Sequence, residues 1–447
     1  MYQDTIAAIS TPVGEGGIGI LRLSGKEANS IAQRIFDGQL SDHRLSYGHI
    51  IDPSSGTIID EVLISYMAAP HTYTREDIVE INCHSGPLLL QRLLEIVLNA
   101  GARLATPGEF TLRAFLNGRI DLAQAEAVLD IIQAKTETGL RLAVDGLQGR
   151  VSAAINEARS QLISILAYLT ATIDFPEDET EEQDIAQPLQ EVIQELQQLI
   201  TSADNGIVYR QGVRTALVGQ PNVGKSSLLN RLLGQDRAIV TSIPGTTRDT
   251  IEETVSLQGI PFVLVDTAGI LVSNNPVEAL SIERSRKAIQ QADLILMMID
   301  LSEPITEVDR EIIASIDNKR ALIIANKTDL PQQAKTSELT EEIVCISALT
   351  GKGLSDLEQQ MASKVLNGAI HSSDALLVNN PRHKDALVRA ANHVSQAIAA
   401  TEQGTPADCI SIDVTAAVNA LGQITGKTVE IEEEVLDIVF GQFCIGK

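Results

Sequence analysis

The chain contains no tryptophan, and aromatic residues make up only 3% of it. Its hydrophobic cores must therefore be built from aliphatic side chains. Hydrophobic residues still reach 44% and charged residues 21%, which is the composition of a globular protein and not of a disordered chain. A length of 447 residues favours two or three domains.

Cysteine is scarce as well. Cys83, Cys345, Cys409 and Cys444 are the only four, and none of them has the CxxC spacing, which argues against a disulfide framework and against a zinc site. The start, MYQDTIAAIS, lacks the basic segment and apolar run of a signal peptide, and runs such as LILMMI are too short to cross a bilayer. We therefore expect a cytoplasmic protein with no membrane partner.

Basic residues are in deficit: 34 Lys and Arg stand against 59 Asp and Glu, and the formal net charge is −25. This balance argues against a globally basic nucleic-acid binder, whereas a local basic patch stays open because binding follows the local potential.

The apolar pattern changes along the chain and predicts a multidomain α/β and α fold. Residues 1–119 mix short β-like runs with one helical run, GPLLLQRLLEIVLNAG, which predicts an N-terminal α+β domain. Residues 120–211 and 372–447 have helical spacing and are predicted to form one helical domain in two parts. Between them, residues 212–371 alternate short apolar runs with helical stretches, which predicts an inserted P-loop (Ras-like) G domain with a mostly parallel sheet.

GQPNVGKS at 219–226 predicts a phosphate-binding loop, because it follows the apolar run TALVG and leads into the helical run SSLLNRLLG. Glycines let backbone N–H groups turn towards phosphates, Lys225 is expected to reach the outer phosphates, and the Ser226 hydroxyl is a candidate Mg²⁺ ligand.

Four further motifs follow in the order that GTP binding requires. GTTRD (245–249) brings Thr247 as a second Mg²⁺ ligand, and DTAG (266–269) brings Asp266 to the metal through water and the Gly269 N–H to the γ-phosphate. NKTD (326–329) offers Asp329 to the N1–H and 2-amino groups of guanine, donors that adenine lacks, and SAL (347–349) offers the Ala348 N–H to guanine O6. The residues predicted to contact GTP are Asn222, Val223, Gly224, Lys225, Ser226, Ser227, Thr241, Ser242, Ile243, Pro244, Gly245, Thr246, Thr247, Asp266, Thr267, Ala268, Gly269, Asn326, Lys327, Thr328, Asp329, Ser347, Ala348 and Leu349.

The hydrolytic machinery is less conventional. Ile270 stands where small signalling GTPases place a water-orienting Gln, and no Arg is clearly placed as an arginine finger. A monovalent cation held by oxygens of Asn222 and of the loop TSIPGTT is one substitute for the missing charge. A carboxylate is one substitute for the Gln, with Glu278 as the candidate, although taken alone this residue fits a solvated glutamate at a helix start better.

Three regions together resemble one family, the MnmE (TrmE) tRNA-modification GTPases. They are TPVGEGGIGILRLSG with PGEFTLRAFLNGRIDLAQAEAV near the front, GQPNVGKSSLLNRLL with VTSIPGTTRDT in the middle, and FCIGK at the end. The resemblance implies an N-terminal folate-binding and dimerising domain, a helical domain and an inserted G domain. It further implies a K⁺-stimulated GTPase that adds a (carboxymethyl)aminomethyl group to C5 of the wobble uridine in certain tRNAs.

The same resemblance implies cofactors and partners. GTP is the substrate, with Mg²⁺ at Ser226 and Thr247, and K⁺ is held by Asn222, Thr241, Ile243 and Thr246. Arg22, Glu80, Arg119 and Lys447 are implied to bind the one-carbon donor 5,10-methylenetetrahydrofolate, with 5-formyltetrahydrofolate as its analogue. The family often has Lys at the position of Arg119. The partners are a second copy of the chain, tRNA, and the flavoprotein MnmG (GidA) in a heterotetramer.

Two catalytic residues follow from the resemblance. Glu278 becomes the acid that orients the attacking water, and Cys444 becomes a candidate catalytic thiol on the C-terminal tail, with a small buried cysteine as the alternative.

Two competing functions stay open. One is a ribosome-assembly GTPase, which shares similar G-domain motifs but needs a basic RNA-binding module. The other is a regulatory GTPase without modification chemistry, which needs neither a folate site nor the FCIGK tail. NKTD argues against an ATPase.

Overall fold

A computed structural model describes residues 4–175, 184–235, 252–266, 289–314, 316, 320–334, 343–366, 376–428 and 433–447. The strands are β1 Ile6–Ile9, β2 Gly16–Ser24, β3 Arg44–Ile51, β4 Ile58–Met67, β5 Ile78–Ser85, β6 Arg103–Leu104, β7 Val213–Gly219, β8 Glu252–Leu257, β9 Ile260–Asp266, β10 Leu294–Asp300, β11 Ala321–Asn326 and β12 Ile343–Cys345. The helices are α1 Ala28–Ile35, α2 Pro87–Asn99, α3 Glu109–Leu116, α4 Leu122–Gln133, α5 Glu137–Leu147, α6 Arg150–Asp174, α7 Ala186–Gln211, α8 Lys225–Gln235, α9 Glu307–Ala314, α10 Leu354–Val365, α11 Pro381–Glu402, α12 Ala407–Thr425 and α13 Glu433–Phe440.

These elements divide into two compact units. The first contains the residues up to Leu129, together with Leu147–Ile155 and Gly422–Lys447; the second contains Asp130–Gly146 and Asn156–Leu421. None of the helices in the described ranges is long and apolar enough to cross a membrane.

The first unit is built on a sheet in the order β3-β4-β5-β2-β1-β6. Its pairs are antiparallel except β1 with β6. Leu21 and Leu23 on β2 and Val79 and Ile81 on β5 are buried with apolar residues of α1 and α2, because side chains of alternate strand residues point to the same face. The predicted N-terminal α+β fold is confirmed.

The C-terminal tail packs within this same unit. Gly108 precedes α3 with φ 68°, and a Cβ there would lie 2.6 Å from the carbonyl oxygen of Phe440 at the end of α13. The Phe440 and Phe443 rings stack with centroids 5.9 Å apart, and Phe440 lies 6.4 Å from the Phe115 ring. The close backbone approach explains why only glycine fits at position 108.

The helical part of the second unit centres on α7 and α11, which pack together. Leu189, Val192 and Leu196, at three- and four-residue spacing, form a buried stripe along α7, within the range for which the sequence predicts helices. Near its end, α7 meets the segment before α11: the Val378 N–H donates to Ser202 Oγ at 3.3 Å, and a Cβ on Gly206 would lie 2.0 Å from the Val378 carbonyl oxygen. We call this contact of Ser202 and Gly206 with Val378 the α7 crossing.

The second sheet has the order β12-β11-β10-β7-β9-β8, and all of its pairs are parallel except β8 with β9. The interior of β10 is buried throughout, as expected for a strand with helices on both faces. The predicted mostly parallel sheet is confirmed. Because parallel strands end at the same edge, Gly219, Asp300 and Asn326 lie along one border of this sheet.

Candidate functional site

The loop between β7 and α8 has the backbone that a phosphate cradle needs. Gly219 has φ 144° and Gly224 has φ 103°, values that side chains on Cβ disfavour. A Cβ would lie 2.4 Å from the Met298 carbonyl oxygen at Gly219 and 2.3 Å from Asn326 Nδ2 at Gly224. Both glycines are therefore required by the close packing of this loop against β10 and β11.

The side chains of the loop divide into inward and outward groups. Lys225 is 7% exposed, and its ammonium donates to the carbonyl oxygens of Gly219 at 2.9 Å and Gln220 at 2.7 Å. Val223 is buried in the core. Ser226 and Ser227, in the first turn of α8, are exposed. The helix start therefore presents hydroxyls and backbone N–H groups to solvent, beside a cation that is held in place.

Asn222 is exposed and has φ 66°. Asparagine accepts this left-handed conformation better than most residues, because its short amide bonds to nearby backbone. Asn222 therefore lies within the cradle loop itself, where the sequence predicts a cation ligand.

Asn326 connects three of the five predicted nucleotide motifs. Its Nδ2 donates to the Val223 carbonyl oxygen at 2.8 Å, and its Oδ1 accepts the Ala348 N–H at 2.9 Å. Asn326 is 3% exposed, so these bonds form in a buried setting where losing one is costly. The amide therefore fastens the NKTD and SAL segments to the phosphate loop.

The predicted base-recognition carboxylate has its own support. Ser347 Oγ donates to Asp329 Oδ1 at 2.5 Å and accepts the Thr350 N–H at 3.1 Å. Ser347 is fully buried while Asp329 is exposed, so a fixed hydroxyl orients a carboxylate that stays accessible. The N–H of Thr328 donates to the Ile346 carbonyl oxygen at 3.1 Å, which joins NKTD to β12 and its extension.

Two residues of the motifs differ from what their sequence positions suggest. The Ala348 N–H already donates to Asn326, so guanine O6 would have to share it. Leu349 is 79% exposed and contributes no buried contact.

Asp266 ends β9, although its side chain is not among those described. The other predicted residues of the site lie outside the described ranges: Thr241, Ser242, Ile243, Pro244, Gly245, Thr246, Thr247, Thr267, Ala268, Gly269 and Glu278. Ile270 lies outside them as well.

A second cluster, in the first unit, contains the residues predicted for folate. Arg22 on β2 and Glu80 on β5 are register partners and form an ion pair, with Nε–Oε1 at 2.8 Å and Nη2–Oε1 at 2.7 Å. The Arg22 guanidinium lies 5.9 Å from the centre of the Tyr73 ring, and that of Arg119 lies 4.7 Å from it. Arg22 and Arg119 thus meet at one aromatic ring, and Glu80 joins this cluster through its ion pair with Arg22.

The C-terminal tail reaches the same unit. The Lys447 carbonyl oxygen accepts the Phe110 N–H at 3.2 Å, and the Phe110 ring lies 5.7 Å from the Arg22 guanidinium. Gly446, with φ 98°, is held against Ile9, where a Cβ would lie 2.4 Å from the carbonyl oxygen. Sequence reasoning missed Tyr73 and Phe110; their signal was their rarity in a chain that has 3% aromatics.

Cys444 is exposed on this tail, so the alternative of a small buried cysteine is wrong. Cys83 is the buried one: its Sγ donates to the Gly19 carbonyl oxygen at 3.3 Å, and burial raises the pKa of its thiol to about 11. A thiol with that pKa is protonated and unreactive at neutral pH.

Two family models match nearly the whole chain. The model described as "GTP-binding protein TrmE N-terminus" matches residues 5–119, and the model described as "MnmE helical domain" matches residues 122–444. Among curated proteins, the "tRNA modification GTPase MnmE" of a Roseiflexus species is 50% identical over 464 residues, and that of Chloroflexus aurantiacus is 50% identical over 454 residues. Both alignments cover 100% of each chain.

Solved structures give a weaker likeness. Era of Aquifex aeolicus bound to GDP·AlF4⁻ is 30% identical, with 40% of this chain and 66% of that chain covered and a TM-score of 0.27. A TM-score this low supports no conclusion about fold or function.

Proposed function

Because the chain belongs to the MnmE family of tRNA modification GTPases, we propose that it couples GTP hydrolysis to modification of C5 of the wobble uridine in certain tRNAs. The nucleotide part of this proposal is carried by Asn326, whose two hydrogen bonds join the phosphate loop to both base-recognition motifs. The added group is a (carboxymethyl)aminomethyl group, and the reaction takes place in the cytoplasm.

At the nucleotide, Lys225 would leave its carbonyl partners for the outer phosphates, and Asp329 would accept the N1–H and 2-amino protons of guanine. Mg²⁺ fits the exposed Ser226 hydroxyl at the start of α8, with Thr247 as its second protein ligand. Magnesium supplies positive charge against the β- and γ-phosphates.

For hydrolysis, we propose that K⁺ bound by Asn222, Thr241, Ile243 and Thr246 supplies the charge of an arginine finger, and that Glu278 orients the attacking water. The resemblance supports both assignments, and the oxygen-rich residue set suits a hard cation. GTP turnover measured in KCl and in NaCl tests the cation: equal rates in the two salts would contradict it.

The cluster around Tyr73 supports a site for a reduced folate. A carboxylate such as Glu80 suits the donor edge of a pterin, and Arg22, Arg119 and Lys447 suit the carboxylates of a glutamate tail. Bound there, the folate would supply the one-carbon unit, and the exposed Cys444 is the candidate thiol of the tail.

The decisive experiment is calorimetric titration with 5-formyltetrahydrofolate of the wild type, Arg22→Ala, and Arg44→Ala as a control at an exposed arginine of the same sheet. We expect saturable binding that Arg22→Ala weakens at least tenfold, since it removes a charge-assisted contact, and that Arg44→Ala preserves. A well-folded wild type that binds no folate would favour the alternative, a ribosome-assembly or regulatory GTPase without modification chemistry.

The proposed partners are a second copy of the chain, tRNA and the flavoprotein MnmG. Leu45 and Tyr47 on β3 and Leu63 on β4 are exposed by 65%, 64% and 45%, and Tyr47 and Leu63 are register partners, so they form an apolar strip that would suit the second copy. Light scattering should report twice the 48.0 kDa chain mass, and Tyr47→Lys should shift it towards the monomer. Modification of wobble uridine by the chain with and without the flavoprotein tests the other two partners.

A further inference from the structure

Lys327 has an unusual position at the edge of the second sheet, where the nucleotide is proposed to bind. It stands between Asn326, which is tied to the phosphate loop, and Asp329, the proposed guanine partner. Its backbone has φ 68°, a left-handed conformation that is unfavourable for a residue with a Cβ. A long lysine side chain also loses rotamer entropy when it is fixed. Something nearby must compensate for both costs.

Asp300 is that partner. It ends β10 directly opposite Asn326 in the parallel register, and its Oδ2 forms an ion pair with the Lys327 ammonium. The other oxygen, Oδ1, accepts the Ser302 N–H at 2.9 Å and the Ser302 hydroxyl at 2.6 Å. The Asp300 side chain is 9% exposed and that of Lys327 is 31% exposed, so the pair is half-shielded from water.

The charges agree with this geometry. Burial alone would raise the pKa of Asp300, but the Lys327 ammonium and the Ser302 donors hold it below its usual range. The carboxylate is therefore ionised at neutral pH, and Ser302 leaves it one oxygen to aim at Lys327.

We propose that Asp300 is a positioning residue for guanine nucleotide binding, acting through Lys327. The inference rests on the proposed nucleotide site. Asp300 fixes the ammonium, so the four methylenes of Lys327 are laid out in advance beside the base-recognition loop and the ordering cost is met before the nucleotide binds. Because the ammonium is already neutralised by Asp300, its contribution goes to the base side of the nucleotide and not to the phosphates.

This arrangement predicts how the affinities for GDP and GTP should change when Asp300 is replaced. Loss of Asp300 should weaken GDP and GTP by the same factor, since the two share the base. It should also have no further effect once the Lys327 ammonium is gone.

The experiment measures dissociation constants of GDP and a non-hydrolysable GTP analogue for the full chain and for Asp300→Asn, Lys327→Met and the double variant. We expect Asp300→Asn to raise both constants about tenfold, the loss of one charge-assisted interaction, and the double variant to match Lys327→Met. Asp300→Glu, which keeps the charge, should recover most of the affinity. Asp293→Asn is the matched control, because Asp293 lies at the opposite end of β10 and accepts the Arg214 N–H at 2.9 Å.

Each failure has its own signature. If the wild type binds neither nucleotide, the proposed site itself fails. If the wild type binds and Asp300→Asn binds with the same affinity, or if the effect of Asp300→Asn persists in the Lys327→Met background or differs between GDP and GTP, the positioning role is overturned. A loss of affinity in Asp293→Asn equal to that in Asp300→Asn would also overturn it, since that would indicate general damage to the strand.

Discussion

Glu109 illustrates how this acidic chain uses a carboxylate inside its fold. Its side chain is 3% exposed and accepts hydrogen bonds from Arg103 at 2.6 Å, from Arg113 at 3.0 Å and from the Thr106 N–H at 2.9 Å. Burial alone would raise its pKa, but these donors hold the pKa below the usual range of a glutamic acid. Arg113 is itself 1% exposed and also pairs with Asp4 and Glu76, so the cluster is satisfied only as a set.

We predict that Glu109 makes the fold sensitive to acid. The unfolded chain takes up the Glu109 proton near pH 4.3, whereas the folded chain does so only at lower pH. Stability from this group is therefore complete above the unfolded pKa and is lost as the pH falls through the folded one. Glu109→Gln should cost about 3 kcal/mol at pH 7, because it leaves two arginines short of a partner.

Urea unfolding of wild type and Glu109→Gln from pH 7 to pH 3 measures this effect. The gap in unfolding free energy between the two should narrow as the pH falls. A gap that stays constant would show that the carboxylate charge has no such role.

At the scale of single residues, the sequence identified the functional residues that belong to a recognisable motif. Lys225, Asn326 and Asp329 stand at fixed spacings in strand–loop–helix contexts, so their neighbourhood could be predicted. Asp300 and Tyr73 could not, because their partners lie on other strands and loops and only the folded register brings them together.

Among the elements, α7 depends on one glycine. Gly206 lies inside the helix, where alanine normally stabilises by about 0.5–1 kcal/mol. At the α7 crossing, however, the added methyl would lie 2.0 Å from a backbone carbonyl oxygen that cannot move aside cheaply.

We predict that Gly206→Ala destabilises the protein by about 1–3 kcal/mol, the cost of overpacking. Gly234→Ala in α8 is the matched control, since nothing lies within 4 Å of its added Cβ and it should be neutral or stabilising. Thermal unfolding followed by circular dichroism compares the two, and equal melting temperatures would contradict the crossing.

The strands and helices with strong periodicity were predictable, and the two edge strands of the first sheet were not. β10 and β11 are uninterrupted apolar runs buried on both faces, and the α7 stripe repeats every three or four residues. The two edges are β3 (RLSYGHII) and β6 (two residues). An edge strand forms backbone hydrogen bonds with a neighbour on one side only, and its apolar pattern is weak.

For the whole molecule, the predicted insertion of residues 212–371 stays a prediction, and the α7 crossing gives it a physical test. Val378 lies against Gly206, so the chain leaves α7 and returns to α11 within a short distance. A six-residue Gly/Ser linker, with an average span of roughly 13 Å, should therefore replace residues 213–375.

We expect this shortened chain to be helical and to unfold cooperatively, because closing so short a loop costs little entropy. Far-UV circular dichroism during urea unfolding checks it. The same deletion carrying Gly206→Ala should be markedly less stable; a shortened chain without a cooperative transition would count against insertion at these positions.

The α7 crossing also has a consequence during synthesis. α7 cannot pack against α11 until the ribosome has added the stretch from Gln211 to Pro381, about 170 residues, which at roughly 5–20 residues per second takes on the order of ten seconds or more. Throughout that interval α7, which carries the buried Leu189, Val192 and Leu196, lacks the helix against which it packs in the finished protein. The nucleotide-binding sheet, whose strands are complete earlier, can fold first, and the helical part must be finished after it.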